Sequence, residues 1–166
     1  MVRTRAARRL CMVLAFVVAA CHDGAGPAPA PAVEVPERPP ALVGFDVGPV
    51  RTAAEYLEDA RFAGANFERG EVLGFACAAC HKLKSGEGTL IGPNLSGVFG
   101  RRAGAVADFT YSAALRDSGL VWTPVSLEAW LADPTGFVAG TTMAFAGYRS
   151  PEDRRDLIAY LLRATQ

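Results

Sequence analysis

The sequence predicts an all-α domain with short helices and long loops. The clearest helix is the last one, because Ser150 is a good N-cap, Pro151 suits the first helical position, and apolar residues recur at helical spacing up to Leu162. No stretch of any length alternates apolar and polar residues as a half-buried strand does. Glycines recur through 82–107, which indicates loops.

Four shorter helices precede this one in the prediction. Their expected ranges are 52–63, 66–76, 111–117 and 127–132. Gly64 ends the first of them, Asn66 can cap the second, and Pro134 stops the fourth.

The first twenty residues are typical of an export signal. Four arginines precede Leu10–Ala20, an apolar run of eleven residues. A spanning helix needs ~20 residues, whereas this run has the length of a signal-peptide core. Small residues then lead to Cys21, as in the cleavage box of bacterial lipoproteins. We therefore expect residues 1–20 to be removed and Cys21 to carry lipid.

Three other interpretations of this leader stay open. It could be an ordinary secretory signal with a chance cysteine, cut elsewhere. It could be an uncleaved signal anchor, if flanking residues lengthen the apolar run. Arg8 and Arg9 would also suit a twin-arginine signal, although that route carries folded proteins.

Residues 21–50 are expected to form a tether. They are rich in proline and alanine and contain few large apolar side chains, which is typical of a solvated, polyproline-like segment. At ~3.1 Å per residue, such a tether could reach roughly 70 Å. A disordered spacer of no particular length is the alternative. An extra helix within 51–65 would then precede the main domain at 66–166.

Residues 77–81, Cys-Ala-Ala-Cys-His, form the most specific motif. C-x-x-C-H is the attachment signature of a c-type haem, in which two thiols bind the porphyrin and the imidazole binds the iron. A thioredoxin-like dithiol needs a βαβ context, and a zinc site needs a second ligand pair; the sequence has neither. A disulfide between Cys77 and Cys80 would leave His81 without a role. We therefore expect one covalently bound haem c.

Met143 is the candidate for the second axial ligand of the iron. Methionine often holds this place in electron-transfer cytochromes, and Met143 would be the only methionine left after the leader is removed. It lies in a Gly-Thr-Thr-Met-Ala-Phe-Ala-Gly loop. The alternative is a methionine that only fills the core. Iron with both axial positions filled transfers electrons, whereas an open position would bind gases or peroxide.

Residues 66–164 resemble a class I cytochrome c, of the mitochondrial type and its bacterial periplasmic relatives. The resemblance rests on the haem-attachment motif, Gly92-Pro93-Asn94-Leu95, Gly97-Val98-Phe99-Gly100-Arg101, Phe109-Thr110-Tyr111-Ser112, Trp122 and the Met143 loop, in that order. It implies a fold of short helices and long loops wrapped around one haem. It also implies an electron carrier rather than an enzyme.

The resemblance also assigns roles to individual residues. It implies that the Pro93 carbonyl accepts the ring N–H of His81 and that Phe145 shields the haem edge. Trp130 stands where the family usually has a tyrosine bonded to the methionine sulfur. The implied propionate donors are Arg101, Tyr111, Ser112 and Trp122. For Tyr111 and Trp122, simple aromatic packing in the core is the alternative.

Charge sets this chain apart from the mitochondrial type. From Phe45 onward it has fourteen acidic and twelve basic residues, and no basic stripe suggests a nucleic-acid partner. Only Lys82 and Lys84 remain of the lysines that surround the haem edge in that type, and Thr142 precedes Met143 where lysine is common. Electrostatic steering should therefore be weak, and a tether could compensate by raising the local concentration.

The expected function is single-electron transfer by a monomeric, lipid-anchored carrier on the periplasmic side of a bacterial membrane, with the outer leaflet of the inner membrane favoured. By family analogy, the partners are a quinol–cytochrome c reductase and a terminal oxidase or reaction centre. One alternative is a fixed haem subunit of a respiratory complex. Another is a haem enzyme or sensor in which Met143 is displaced.

Overall fold

A computed structural model describes Leu42 and residues 45–166, which belong to one compact unit. This part of the chain has helices and no strand, apart from an isolated antiparallel bridge between Arg102 and Val121. The helices in chain order are α1 (Ala53–Leu57), α2 (Phe67–Ala78), α3 (Ala113–Asp117), α4 (Pro124–Ala132), α5 (Pro134–Phe137) and α6 (Pro151–Ala164), with a 3-10 turn at Ala60–Phe62. The predicted all-α class is confirmed.

Local capping decides where α4 and α6 begin. The Ser150 side chain accepts a hydrogen bond from the backbone N–H of Asp153, so α6 starts at Pro151 as predicted. Helix α4 starts at Pro124, three residues before the predicted range of 127–132. Its start is set by a capping box in which Thr123 and Ser126 bond each other's backbone N–H groups.

Two other segments differ from the prediction. The range 52–63 contains helix α1 and the 3-10 turn instead of one helix, because Asp59 caps a new turn. Helix α5 was not predicted; Asp133 caps it by accepting a hydrogen bond from the N–H of Gly136 at 2.9 Å.

The longest described helix has 14 residues, and none in this part of the chain is long and apolar enough to cross a membrane.

Helices α2 and α6 cross at very short range. A Cβ atom on Gly70 would overlap the carbonyl oxygen of Asp156 and lie 2.8 Å from the Cβ of Tyr160. A Cβ atom on Gly74 would lie 2.6 Å from the ring of Tyr160. Gly70 is therefore needed for this packing, because the atom in the way is backbone, whereas a side chain at position 74 would require the Tyr160 ring to move. The crossing fixes α2 and the haem-attachment motif at its end.

A buried carboxylate joins the start of α2 to α6. Asp156 is 2% exposed, and its Oδ1 accepts hydrogen bonds from the N–H of Asn66 at 3.1 Å and from the Arg155 guanidinium at 2.8 Å. The pairing with Arg155 offsets the cost of burying the charge. The carboxylate thus satisfies a backbone donor just before α2 and holds the two helices in register.

The segment 45–62 packs on the domain. The Phe45 and Phe137 rings meet edge to face with centroids 5.0 Å apart. The Thr123 hydroxyl donates to the carbonyl of Val47 at 2.8 Å, and the side chain of Phe62 is buried. The predicted end of the tether, at residue 50, therefore falls inside a segment that is packed on the domain.

Candidate haem site

A single cavity brings the predicted site residues together. It has about 1320 Å³ of empty space, part of it open to solvent. Its walls come from the end of α2, from α4 and from the loops between the helices. All eleven residues predicted to hold the haem or its iron line this cavity: Cys77, Cys80, His81, Pro93, Arg101, Tyr111, Ser112, Trp122, Trp130, Met143 and Phe145.

The attachment motif lies where α2 ends. Cys77 is in the last turn of the helix, and the N–H groups of Cys80 and His81 both donate to its carbonyl, at 3.0 and 2.9 Å. This tight turn places both cysteines and the histidine on one wall of the cavity. Both thiols are free, and burial raises the pKa of Cys77 to about 11. A dithiol redox centre has the opposite property, a lowered thiol pKa.

His81 is oriented by a hydrogen bond from its ring. Its Nδ1 lies 2.7 Å from the carbonyl oxygen of Pro93. Because a carbonyl can only accept, Nδ1 carries the proton and Nε2 is left as a free electron-pair donor. Burial lowers the pKa of His81, with the Pro93 hydrogen bond acting against it, so the neutral ring that binds metals is favoured.

Gly92 leaves room for this ring. A Cβ atom at Gly92 would overlap the imidazole of His81. The N–H of Gly92 donates to the carbonyl of Cys80 at 2.8 Å, which ties the loop to the attachment motif. Sequence reasoning singled out Pro93 but not the steric role of its neighbour. A side chain here would displace the candidate iron ligand.

Met143 lies in the loop between α5 and α6. It is half-buried, and its N–H donates to the Thr141 hydroxyl at 3.3 Å. The N–H of Phe145 donates to the carbonyl of Met143 at 3.1 Å. These two bonds shape the loop that carries the thioether into the cavity. Met143 packs against the core and also lines the same cavity as His81, so its position is compatible with a ligand.

Several polar donors face the otherwise apolar cavity. The Trp122 and Trp130 rings pack edge to face, with centroids 5.4 Å apart. Both tryptophans line the cavity, and so does Tyr111. The Ser112 hydroxyl accepts a hydrogen bond from the N–H of Leu115 at 3.3 Å, so its own proton is still available for donation. These donors are suited to the carboxylates of a haem.

Arg101 is held differently from the expectation. Its guanidinium donates to the carbonyls of Ser96 at 2.7 Å and Asn94 at 2.8 Å. Two of its five donors are therefore used to hold the 94–96 loop, and three remain. Burial lowers the pKa of Arg101, and the nearby Tyr111 acts against this shift. Arg101 thus supports the loop as well as placing positive charge beside the cavity.

Sequence reasoning missed most of the apolar wall. On α4, Leu127 and Leu131 flank Trp130, and Leu161 adds to the wall from α6. The helical spacing of Leu127, Trp130 and Leu131 was a usable signal for this face. The other apolar members that were not assigned to the site are Ala76, Ile91, Leu95, Val98, Phe109, Leu115 and Ala144.

The cavity fits a haem c. It is an apolar slot lined by two thiols, a neutral imidazole, a thioether and a group of polar donors. The macrocycle needs apolar walls, the propionates need hydrogen-bond donors, and the iron needs nitrogen or sulfur ligands. In residues 45–166, no group of three or more His, Cys, Asp or Glu residues could hold a metal ion by itself.

Comparison with known proteins gives the family. Residues 67–165, more than half of the chain, match the family model for cytochrome c. The cytochrome c of Cochliobolus lunatus is 46% identical over 90 residues, covering 54% of this chain and 83% of that protein. That of Trypanosoma brucei brucei is 54% identical over 71 residues, covering 43% and 76%. The chain therefore belongs to the cytochrome c family.

A solved structure agrees with this assignment. Cytochrome cH from Methylobacterium extorquens is 40% identical, with a TM-score of 0.55, covering 59% of this chain and 98% of that one. Cytochromes of this family are electron carriers, not enzymes, with one covalently attached haem c, and they act with redox partner proteins. The predicted fold, cofactor and electron-carrier class are thus confirmed.

Proposed function

We propose that this carrier is anchored by a lipid on Cys21 to the periplasmic side of a bacterial membrane. From there it shuttles electrons between respiratory or photosynthetic complexes. The support is the leader pattern at 1–20 and the proline-rich composition of 21–50. The leader, Cys21 and most of the tether lie outside the described residues.

The placement of His81 and Met143 in one cavity carries the proposed mechanism. In our proposal His81 and Met143 would hold the iron, and Cys77 and Cys80 would hold the ring covalently. The haem, when bound, supplies the one-electron couple. Pro93 holds the His81 ring in one orientation through the 2.7 Å hydrogen bond.

The wall that α4 contributes shields one side of the site from water. Trp130 is 4% exposed and Leu131 is 3% exposed, so α4 closes one side of the cavity to water. In the proposal, Tyr111, Ser112 and Trp122 would donate to the propionates of a bound haem. Fixed ligands and a packed wall leave little to rearrange when the charge changes, which favours fast electron transfer.

The packed segment 45–62 is consistent with a tether. None of its residues lines the cavity. Any pull from a lipid-anchored tether would therefore act on the Phe45–Phe137 and Val47–Thr123 contacts. The cavity mouth would stay open. Confinement to a membrane surface would raise the effective concentration of the carrier near its partners.

The proposed electron donor is a quinol–cytochrome c reductase, and the proposed acceptor is a terminal oxidase or a reaction centre. Family analogy supports this choice. The chain has only two lysines, Lys82 and Lys84. A strong positive field therefore cannot guide the carrier to acidic partners. Confinement to the membrane then contributes more to the rate at which the carrier meets its partners.

The anchor is tested by mass spectrometry and cell fractionation. We expect the mature protein to begin at a diacylglyceryl-modified Cys21 and to fractionate with membranes. Cys21→Ala should release it, whereas Cys11→Ala, in the segment to be removed, should change nothing. Membrane association of Cys21→Ala, or a mature N-terminus elsewhere, would contradict the proposal.

A further inference from the structure

Four large apolar side chains are strongly exposed on α2 and on the loop that carries residues 90 and 91. On α2, Val72 is 65% and Phe75 is 67% exposed. On the following loop, Leu90 is 46% and Ile91 is 79% exposed. A large apolar side chain left in water is normal when isolated, but a group of them indicates an interaction surface.

These side chains adjoin the cavity mouth. Ala76, which directly follows Phe75, lines the cavity, and so does Ile91. The 90–92 loop is held against the end of α2 by the hydrogen bond from Gly92 to the carbonyl of Cys80, at 2.8 Å. We call Val72, Phe75, Ala76, Leu90 and Ile91 the apolar rim.

The packing of α2 does not require the rim to be apolar. The helix turns Gly70 and Gly74 toward α6, where they are buried. Val72, Phe75 and Ala76 follow the i, i+3, i+4 spacing of one helical face, and that face is exposed. The solvent face of a helix is ordinarily polar.

The rim has little charge to offer an acidic partner. The charged residues within six sequence positions of the rim are of both signs and sum to zero: Glu68, Arg69, Glu71, Lys82, Lys84 and Glu87. Within the cavity lining, Arg101 is the one side chain with a permanent charge, and it is half-buried. An acidic partner face would lose hydration at this surface without gaining matching ion pairs.

We propose that the apolar rim is the docking surface for the redox partner, and that the partner presents an apolar face with few charges. This inference rests on the proposed function. Electron transfer slows steeply with distance, so the partner must dock beside the cavity mouth, where the rim lies. A lipid bilayer seated on the rim would block that approach. Apolar side chains at the centre of a small interface suit a transient complex.

The test uses the full-length holoprotein in detergent and solubilised membranes of the organism that makes it. The reduced protein is mixed with these membranes, and its second-order oxidation rate is followed by stopped-flow absorbance. The variant Phe75→Ser with Leu90→Ser changes two rim residues outside the cavity lining. Val50→Ser is the matched control, because Val50 is 57% exposed and lies outside the rim.

We expect the double variant to be oxidised about tenfold more slowly, as when a hot-spot pair is removed from an interface. The control should stay within about twofold of the wild-type rate. The wild-type rate should change by less than about threefold between low and physiological salt, because charge contributes little. The visible spectrum and the rate with ferricyanide should be the same in all proteins.

Several results would overturn the inference. If wild-type protein reacts with ferricyanide but not with the membranes, both the docking surface and the proposed shuttle are wrong. If the membranes oxidise wild type and double variant equally, only the docking surface is wrong. It is also wrong if the defect appears with intact but not solubilised membranes, which indicates a lipid contact. A wild-type dimer that the double variant loses would identify a second copy as the occupant.

Discussion

Gly70 lies so close to the carbonyl oxygen of Asp156 that no side chain fits between α2 and α6. The atom in the way belongs to the backbone of a buried helix, so it cannot move aside cheaply. Because α2 ends in the haem-attachment motif, this contact sets the position of the motif in the domain.

Gly70→Ala should destabilise the holoprotein by about 2 kcal/mol. Alanine favours a helix over glycine by ~1 kcal/mol, but the overlap with Asp156 should cost more than that. The measurement is the free energy of unfolding by denaturant. Val72→Ala on the exposed face of α2 is the control and should change stability little. A variant as stable as wild type would mean that the helices can separate without penalty.

Gly92→Ala should disturb the orientation of His81. The new methyl group would occupy the space of the imidazole ring, which its bond to Pro93 now holds in place. We expect a lower yield of holoprotein and an altered absorption spectrum in the fraction that retains haem. Leu90→Ala, two residues earlier in the same loop, should give a normal spectrum. An unchanged spectrum for Gly92→Ala would show that the loop can yield.

Met143→Ala should open one axial position on the iron. The ferric charge-transfer band typical of methionine ligation should disappear, carbon monoxide should bind readily, and the reduction potential should fall. Thr142→Ala, at the exposed neighbouring position, should keep the band. Ready binding of carbon monoxide by the wild-type protein would instead favour a sensor or enzyme with a displaceable methionine.

Acid should destabilise the domain in part through Asp133. The N–H of Gly136, followed by the Thr135 hydroxyl, lowers the pKa of this carboxylate below its unfolded value. The folded state therefore binds fewer protons, so this stabilisation is present above about pH 4 and is lost as pH falls through the folded pKa. Asp133→Asn keeps a capping oxygen but removes the titration, so stability should fall less steeply below about pH 4.

The readout for Asp133 is the free energy of unfolding as a function of pH. Asp117→Asn is the control, since Asp117 is an exposed residue at the end of α3 and caps no helix. An identical acid dependence in wild type and Asp133→Asn would refute the assignment.

Short-range features of this domain could be predicted from the sequence. The haem-attachment motif and the Ser150 cap act over a few residues, so their chemistry can be seen in the sequence itself. The predicted start of α4 was three residues too late. The signal for the true start is local, since it is the capping box formed by Thr123 and Ser126. Helix α5 was missed because one turn after Asp133 gives too few residues for a periodic pattern.

Long-range features were decided by packing. Sequence spacing alone did not predict that the Trp130 and Trp122 rings meet edge to face. It also did not predict that two N–H groups of Arg101 bond the carbonyls of its own loop. The docking of Phe45 on Phe137 joins residues 92 positions apart. Such contacts depend on which surfaces the whole fold brings together, and the local spacing of residues does not predict which surfaces meet.

By itself the sequence determined the cofactor and the attachment chemistry, because two thiols and a histidine at this spacing define one covalent site. The class of electron carrier was implied by the family resemblance, which includes the Met143 loop. Only the tertiary structure decided which face of α2 meets water. Its glycines pack on α6 at contact distance, so Val72 and Phe75 turn outward beside the cavity. Their apolar character was visible from the start, but their exposure follows from that close crossing.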